Sequence, residues 1–421
     1  MNKTRPKPTP PKTTLFVGID WADQKHDVFW MHVDGRHGRR QIEQSPEALE
    51  ELATWMSDLA GDGQVAVALE KSRGPLQVAL MFRERIVLFP VDPKQAARYR
   101  ESFRSGKAKN DSDDAFLLAR MLRERHREWK PLKPDDQATR RVAQLAEARR
   151  QLVDENTRLK LKLQALLKIY FPLLLTLGEV DSALVLEVLR RWPNPKAFRR
   201  VHPKTLARLF QKHGVKSAEA IQQHIERIRS TPLLTKDAPL IESLVFRVTA
   251  LAGQLQVLAK QIAAIEEALD EAMRAHPDAA IFQSPPGAGR AMAPRLLGAF
   301  GSDRQRFAHA DEVAVLSGIA PVTRQSGKTK IVSRRRGCSK FLKQTFHEFA
   351  DHARKWSSWS KAYYRWLRSK QMGHHAAIRK LASRWIRILY RMWQTRTPYD
   401  EDRYLQSLRQ KNHPALKFLE T

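Results

Sequence analysis

Short apolar runs separated by turn signals mark the first 130 residues of the chain. These runs predict five strands, at 15–20, 26–33, a third, more polar strand that ends near Gln44, 64–70 and 86–91. Helical spacing predicts four helices, at 46–59, 75–85, 93–103 and 111–129. Asp34-Gly35 predicts the hairpin between the second and third strands, and Ser45 is placed to cap the first helix. Residues 15–130 are therefore expected to form an α/β domain with a mixed sheet.

Two later segments place apolar residues on alternating steps of three and four, which is typical of long helices that pack along a seam. The first seam lies within 136–171 and the second runs from Leu244 to Leu269. We predict that these helices pair with each other or across a dimer. Residues 136–275 then form a coiled-coil region, with a small helical insert at about 178–235 that four prolines punctuate.

Residues 278–421 are predicted to be a mainly α-helical C-terminal domain. It opens with SPPGAGR at 284–290, directly before an apolar helix. A glycine-flanked turn at a helix start can present backbone N–H groups to phosphate, as in helix-hairpin-helix motifs; a plain connecting turn fits equally well. Residues 1–14 are basic and proline-rich without an apolar signal-peptide core, and we expect a disordered arm.

The balance of charge narrows the function. The chain has 75 Lys and Arg against 45 Asp and Glu, a net charge of +30. Residues 324–421 alone carry 24 basic and 6 acidic residues, or +18, together with five tryptophans. This favours a polyanionic partner, although a solvated basic surface is the simpler alternative. The tryptophans suit base stacking, but we expect most of them to be helix core.

Other features of composition fit a protein of the cytoplasm. The single cysteine, Cys338, excludes an intrachain disulfide and a cysteine-based zinc site, and it fits a reducing compartment. No run approaches the roughly 20 apolar residues that a membrane span needs, so no membrane partner is expected.

Four acidic residues stand where predicted strands end or a helix begins: Asp20, Glu70, Asp111 and Asp114. Asp111 and Asp114 are three apart and share a helix face. Oxygen-only ligands suit Mg²⁺, with Mn²⁺ also possible, and such ions bridge to phosphate oxygens. Asp111 could instead simply cap its helix. Four carboxylates at coordinated element ends favour a metal site for chemistry on nucleic acid.

Ser326 is a candidate nucleophile because it precedes a glycine and has cations on both sides. Such a hydroxyl can attack a phosphate with help from charge stabilisation, although composition alone favours a plain turn serine. Candidate phosphate clamps are the nearby cations: Arg324, Lys328, Lys330, Arg334, Arg335 and Arg336.

Motifs along nearly the whole chain resemble one family. They are FVGIDWA around Asp20, ALEKSRG around Glu70, KAKNDSDDAFLLARML around Asp111 and Asp114, then SPPGAGRAMAPRLLGAFG and LSGIAPVTRQSGKTK. The chain resembles the DEDD transposases of bacterial insertion sequences, the insertion-sequence one-ten family, which is related to the pilin-gene inverting recombinases. It departs from that pattern in Asn110, where threonine is common, and in having one serine before Gly327 where some members have two.

The resemblance implies a ribonuclease H-like (RuvC-like) domain whose Asp20, Glu70, Asp111 and Asp114 bind Mg²⁺. It implies a C-terminal transposase domain whose serine, here Ser326, attacks DNA and forms a phosphoserine link. It further implies dimers that assemble into a tetramer, with the metal site of one subunit facing the serine of another. A noncoding bridge RNA from the element would pair with donor and target DNA.

Two other functions remain open at this point. A metal-dependent nuclease of the Holliday-junction resolvase type would use water as the nucleophile and leave Ser326 idle. A non-enzymatic nucleic-acid-binding scaffold would need neither the carboxylates nor a metal. The sequence does not give the target DNA, the guide RNA or the order of the oligomer.

Overall fold

A computed structural model describes residues 12–70, 74–102, 111–327 and 329–419, and for residues 111–113 it describes the backbone only. The described chain divides into two compact units, with the boundary between Pro134 and Asp135. Each unit has its own hydrophobic cores. We therefore describe each unit by itself.

The first unit is built on a five-stranded mixed sheet in the order β3-β2-β1-β4-β5. β1, β2 and β3 are antiparallel neighbours, whereas β4 is parallel to β1 and β5 is parallel to β4. The strands are β1 Thr13–Asp20, β2 Lys25–His32, β3 His37–Glu43, β4 Gln64–Leu69 and β5 Ile86–Pro90. The predicted mixed sheet is confirmed.

Four helices cover this sheet: α1 Pro46–Leu59, α2 Pro75–Leu80, α3 Pro93–Glu101 and α4 Asp111–Arg125. The Ser45 hydroxyl accepts a hydrogen bond from the Ala48 amide at 3.1 Å, so the predicted cap is confirmed. α2 ends five residues before the predicted bound of Arg85. The Arg85 carbonyl accepts a hydrogen bond from the Val65 amide at 2.8 Å, so the chain has already entered the β5 ladder there.

Side-chain alternation along the strands gives the sheet two buried faces. Val17 and Ile19 pack with the residues of α1 on one face. Phe16 packs with Leu118 and Leu122 of α4 on the other. Because β1 and β4 are buried on both faces, their sequences read as continuous apolar runs rather than as an alternation.

Two long helices dominate the start of the second unit: α5 Gln137–Tyr170 and α10 Ala238–Ala275. They pack along each other within one chain and run antiparallel. Arg149 Nε donates to Glu266 at 2.8 Å, and Arg141 Nη2 donates to Glu271 at 3.0 Å. The prediction that the two seam helices pair is thus met inside the chain.

A 3-10 turn, Pro172–Thr176, follows α5. The predicted helical insert after it contains four short helices. The helices are α6 Ala183–Arg191, α7 Pro195–Arg199, α8 Pro203–Lys212 and α9 Ala218–Ser230. Their apolar side chains share a core with the facing halves of α5 and α10.

Helices and one hairpin complete the second unit. They are α11 Ala279–Gln283, α12 Gly289–Phe300, α13 Ala310–Leu316, β6 Val322–Ser326, β7 Thr329–Ser333, α14 Lys340–Trp356, α15 Ser358–Ser369, α16 His374–Thr395, α17 Glu401–Gln410 and a final 3-10 turn, Pro414–Phe418. Trp359, Trp385 and Trp393 are fully buried, as predicted for most of the tail tryptophans, whereas Trp356 is 76% exposed.

One described helix, α10, is long and apolar enough to cross a membrane by length and composition alone. The sequence-based expectation that no segment approaches such a span is therefore wrong for α10. Only 17% of its most apolar 18-residue window is buried. Helices that bury an apolar face in a partner have the same composition, so this feature is weak evidence for a membrane.

Candidate functional site

The first two predicted acids lie at the same end of the sheet. Asp20 is the last residue of β1, and Glu70 directly follows β4. In the parallel pairing of these strands Ile19 is opposite Leu69, so the two acids occupy equivalent positions one residue further on. The carboxyl ends of adjacent parallel strands form the usual ligand-binding edge of such sheets.

Alternation also assigns both acids to one face of the sheet. Residues an even number of positions apart on a strand share a face. Asp20 therefore shares the face of Phe16, and Glu70 shares the face of Ala66 and Ala68. Phe16, Ala66 and Ala68 pack with α4. Strand alternation therefore assigns both positions to the α4 side of the sheet.

α4 brings the third acid to this edge. Its direction is opposite to that of β1, because the His126 ring, just beyond its end, lies 4.9 Å from the ring of Phe16. It passes β1 at Gly18, where an added Cβ would lie 2.1 Å from the Ala115 carbonyl oxygen. Asp114, the residue before Ala115, is consequently in the helix turn nearest the carboxyl end of β1.

Asp114 is 5% exposed and is held by an arginine that the sequence prediction missed. Arg100 Nη2 lies 2.5 Å from Asp114 Oδ1. Arg100 is in the last turn of α3, and its Nε is buried without a hydrogen-bond partner among the described residues. A buried carboxylate is stable only when it is paired, and here the guanidinium supplies the opposite charge.

The donor chemistry of these residues fits a hard divalent cation, since all are carboxylates. In the described ranges, however, no group of three or more His, Cys, Asp or Glu side chains is close enough to hold a metal. Asp111 begins α4 as predicted, but its side chain lies outside the described residues. The four-carboxylate site therefore stays a prediction.

Ser326 lies on a hairpin that the sequence did not predict as strands. It ends β6, pairs with Thr329 of β7, and precedes Gly327, whose φ of +53° suits a tight two-residue turn. Every residue of β7 is exposed. Among the described residues the Ser326 hydroxyl forms no hydrogen bond, so the structure provides no adjacent general base there.

The hairpin register separates the predicted phosphate clamps. Arg324 is two residues from Ser326 and shares its face. Lys330 is opposite Gln325 and is on the other face. Arg334 and Arg336 are exposed just beyond β7, whereas Arg335 is partly buried. Lys328 lies outside the described residues.

The SPPGAGR turn has a structural use. Gly287 has a φ of +81°, and an added Cβ would lie 2.8 Å from the backbone nitrogen of Ala353 in α14. Ala288 is buried as well. This close packing accounts for the glycine, and it favours the plain connecting turn over a phosphate-binding one.

Two family models match the chain. One, of the IS110 DEDD type and described as Transposase, matches residues 17–172, which hold the carboxylate edge. The other, described as Transposase IS116/IS110/IS902 family, matches residues 279–365, which hold the Ser326 hairpin.

Relatives match over nearly their whole length. A protein named as a transposase for IS117, from a Streptomyces coelicolor mini-circle, is 30% identical over 94% of this chain and 98% of its own. The 43.6 kDa protein of insertion element IS110, also from Streptomyces coelicolor, is 28% identical over 92% and 95%. The 42 kDa protein of insertion element IS900 from Mycobacterium paratuberculosis is 25% identical over 91% and 97%.

These matches define the class of protein as a transposase. Because the relatives and the two family models together cover both units, the chain belongs to the IS116/IS110/IS902 family of transposases.

Proposed function

We propose that this transposase cuts and rejoins DNA with Ser326 as the nucleophile, beside a Mg²⁺ site formed by Asp20, Glu70, Asp111 and Asp114. The proposed Mg²⁺ site is supported mainly by the register of β1 and β4. In that register Asp20 and Glu70 stand at equivalent ends of adjacent strands, on the α4 side. The sheet order 3-2-1-4-5 supports a ribonuclease H-like (RuvC-like) domain.

The carboxylates would hold the ion, Mg²⁺ or Mn²⁺, which when bound stabilises negative charge on the phosphoryl oxygens. Asp114 would have to exchange its Arg100 partner for that ion. The released guanidinium is then near enough to pair with a DNA phosphate. These residues thus position the scissile phosphate rather than react with it.

The Ser326 oxygen would form a bond to phosphorus as the bond from phosphorus to the deoxyribose oxygen breaks. Arg324, on the same hairpin face, is placed to pair with the phosphate under attack. The Ser326 proton would pass to a base that the assembled complex brings to the hydroxyl.

The partners we propose are donor and target DNA and a noncoding bridge RNA, in the bacterial cytoplasm at the nucleoid. A dimer that forms a tetramer would bring the serine of one subunit to the carboxylates of another. Support comes from the apolar surface of α10, where Phe246 is 72% exposed and Val257 is 60% exposed. A second copy could bury these side chains.

Trapping the covalent intermediate tests the nucleophile. Wild-type protein incubated with labelled donor DNA and Mg²⁺ should give a protein–DNA adduct, which mass spectrometry maps to Ser326. The Ser326→Ala variant should give no adduct and no joined strands. Ser333→Ala, on the exposed strand β7, is the matched control and should react normally.

The alternative is a metal-dependent nuclease of the Holliday-junction resolvase type. It would use water, so Ser326→Ala would cut DNA at an unchanged rate and no adduct would form with either protein. If Asp20→Asn and omission of Mg²⁺ also left every activity unchanged, the protein would be a binding scaffold rather than an enzyme.

A further inference from the structure

A basic cavity in the second unit lies beyond both segments that the family models match. It is a groove of about 490 Å³ between α16 and α17, within residues 384–411. That volume falls in the range of small-ligand pockets, roughly 300–1,000 Å³. Neither the candidate metal site nor Ser326 is among its lining residues.

Five cations and one acid line this groove. The cations are Arg384, Arg387, Arg391, Arg403 and Lys411. The acid, Asp400, accepts a hydrogen bond from the Arg403 amide at 2.9 Å and so caps α17. The net charge of the lining is therefore strongly positive.

The described structure leaves most of these cations without an acidic partner. Arg391, Arg403 and Lys411 are exposed and form no ion pair with a described residue. Arg387 has a long contact, 3.5 Å, with the exposed Asp311. Arg384 is partly buried, and its Nε has no hydrogen-bond partner among the described residues. Like charges held together at this density favour a bound anion.

The floor of the groove is apolar and aromatic. Met392 is buried, and Ile388 and Tyr404 are partly buried. The Tyr404 ring is fixed by the buried Trp359, with ring centroids 4.6 Å apart. Burial raises the pKa of Tyr404 to about 12, so the ring is uncharged at neutral pH and does not repel phosphate.

An apolar floor under a cationic rim matches an unstacked nucleotide, with its base on the floor and its phosphates on the rim. We propose that the groove between α16 and α17 binds a single-stranded stretch of nucleic acid. One base would lie against Tyr404, and Arg391 and Arg403 would hold the flanking phosphates. The inference rests on the proposed function only in that both concern nucleic acid.

Binding is tested in the Ser326→Ala background, so that no chemistry is involved. Fluorescence anisotropy would measure labelled single-stranded DNA, single-stranded RNA of the same sequence, and the DNA duplex. Arg391→Ala combined with Arg403→Ala should weaken binding of at least one single strand about tenfold. The slope of the log binding constant against log salt concentration should become shallower by about 1.4, since each single-strand phosphate contact contributes about 0.7 to it.

The matched control is Lys380→Ala combined with Arg409→Ala. Both residues are exposed on the same two helices, outside the groove, and the charge change is identical. The affinity of this control variant for the single strand should fall by less than about threefold. Equal losses in the two double variants would show a general charge effect and overturn the proposal, as would losses confined to the duplex.

Crosslinking gives a second readout. An oligonucleotide with 4-thiouridine, irradiated and digested, should attach to the peptide that contains Tyr404. Attachment only outside α16 and α17, or full competition by millimolar AMP, would overturn the proposal. If the groove variant binds both single strands normally while wild-type protein forms the Ser326 adduct, this inference alone is refuted. If the groove variant loses binding as expected but wild-type protein forms no adduct at Ser326, the proposed recombinase alone is refuted.

Discussion

The carboxylate edge and the Ser326 hairpin differ in how firmly each is held. Asp20 and Glu70 end strands that are buried on both sides, and Asp114 is buried under an ion pair. Ser326 is on a two-stranded ribbon whose second strand is exposed throughout. A lone two-stranded hairpin is only marginally stable in water.

This difference indicates that the proposed metal ligands and the proposed nucleophile are positioned in different ways. The acids are positioned when the sheet folds. The hairpin of the serine is largely exposed in the described chain, and under the proposed function DNA or another subunit would fix its position. Ile331, on the same face as Ser326 and 58% exposed, offers an apolar contact for that purpose.

The largest effect should come from the acids themselves. Asp20→Asn should slow DNA cleavage at least about 100-fold, equivalent to about 2.7 kcal/mol, because a ligand of the positioned ion is lost. Single-turnover cleavage measures it, with circular dichroism to verify folding. Asp23→Asn, an exposed acid just beyond the same strand, is the control. A normal rate for Asp20→Asn would remove the metal half of the proposal.

Gly18→Ala should disrupt the packing that places Asp114. The new Cβ would meet two backbone atoms of α4, at 2.1 and 2.4 Å, so the helix must shift, at a cost of about 1–3 kcal/mol. Hydrogen exchange of the β1 and α4 peptides measures this. Gly253→Ala, in α10 with open space around it, should instead stabilise its helix by up to about 1 kcal/mol. Unchanged exchange in α4 would contradict the packing described.

Arg100→Ala tests whether this arginine competes with the ion. It leaves Asp114 buried without its partner, and because Arg100 is 24% exposed we expect a loss of about 1–3 kcal/mol. Thermal unfolding should then show a larger stabilisation by Mg²⁺ in the variant than in the wild type. Arg98→Ala, exposed on the same helix, is the control. Equal shifts with Mg²⁺ in all three proteins would show that Arg100 does not compete with the ion for Asp114.

The smallest effect should be seen on the hairpin. Val332 is 59% exposed, so Val332→Thr should change the free energy of unfolding by less than about 0.5 kcal/mol. Val67→Ala, fully buried in β4, should cost more than 1 kcal/mol. Urea denaturation compares them. A loss above 1 kcal/mol for Val332→Thr would mean that the hairpin is packed on protein after all.

The sequence predicted the first unit well because its strands are apolar and its turns carry strong signals. The Ser45 cap and the Asp34-Gly35 hairpin between β2 and β3 are examples. It also predicted the long helices α5 and α10, since their seams repeat over many turns. Turn residues and hydrophobic periodicity determine structure within a short stretch of the chain, and they can be recognised within that same stretch.

What the sequence missed has no local signal. β6 and β7 are exposed on both faces, so their residues show no alternation between apolar and polar. Arg100 and Asp114 are on different helices, and no period connects them. The groove between α16 and α17 depends on where two helices cross, which is set by their packing around Trp359. Single-sequence patterns do not encode such crossings.

The exposure of the Ser326 ribbon bears on how a mobile element coexists with its host. A single copy of the protein diffusing along the chromosome would carry its attacking group unaligned, and so would leave most DNA that it touches intact. Breakage would be confined to complexes in which several molecules have already gathered on matching sequences. Under the proposed chemistry, the loosely supported hairpin would thus protect the host genome from cleavage at unintended sites.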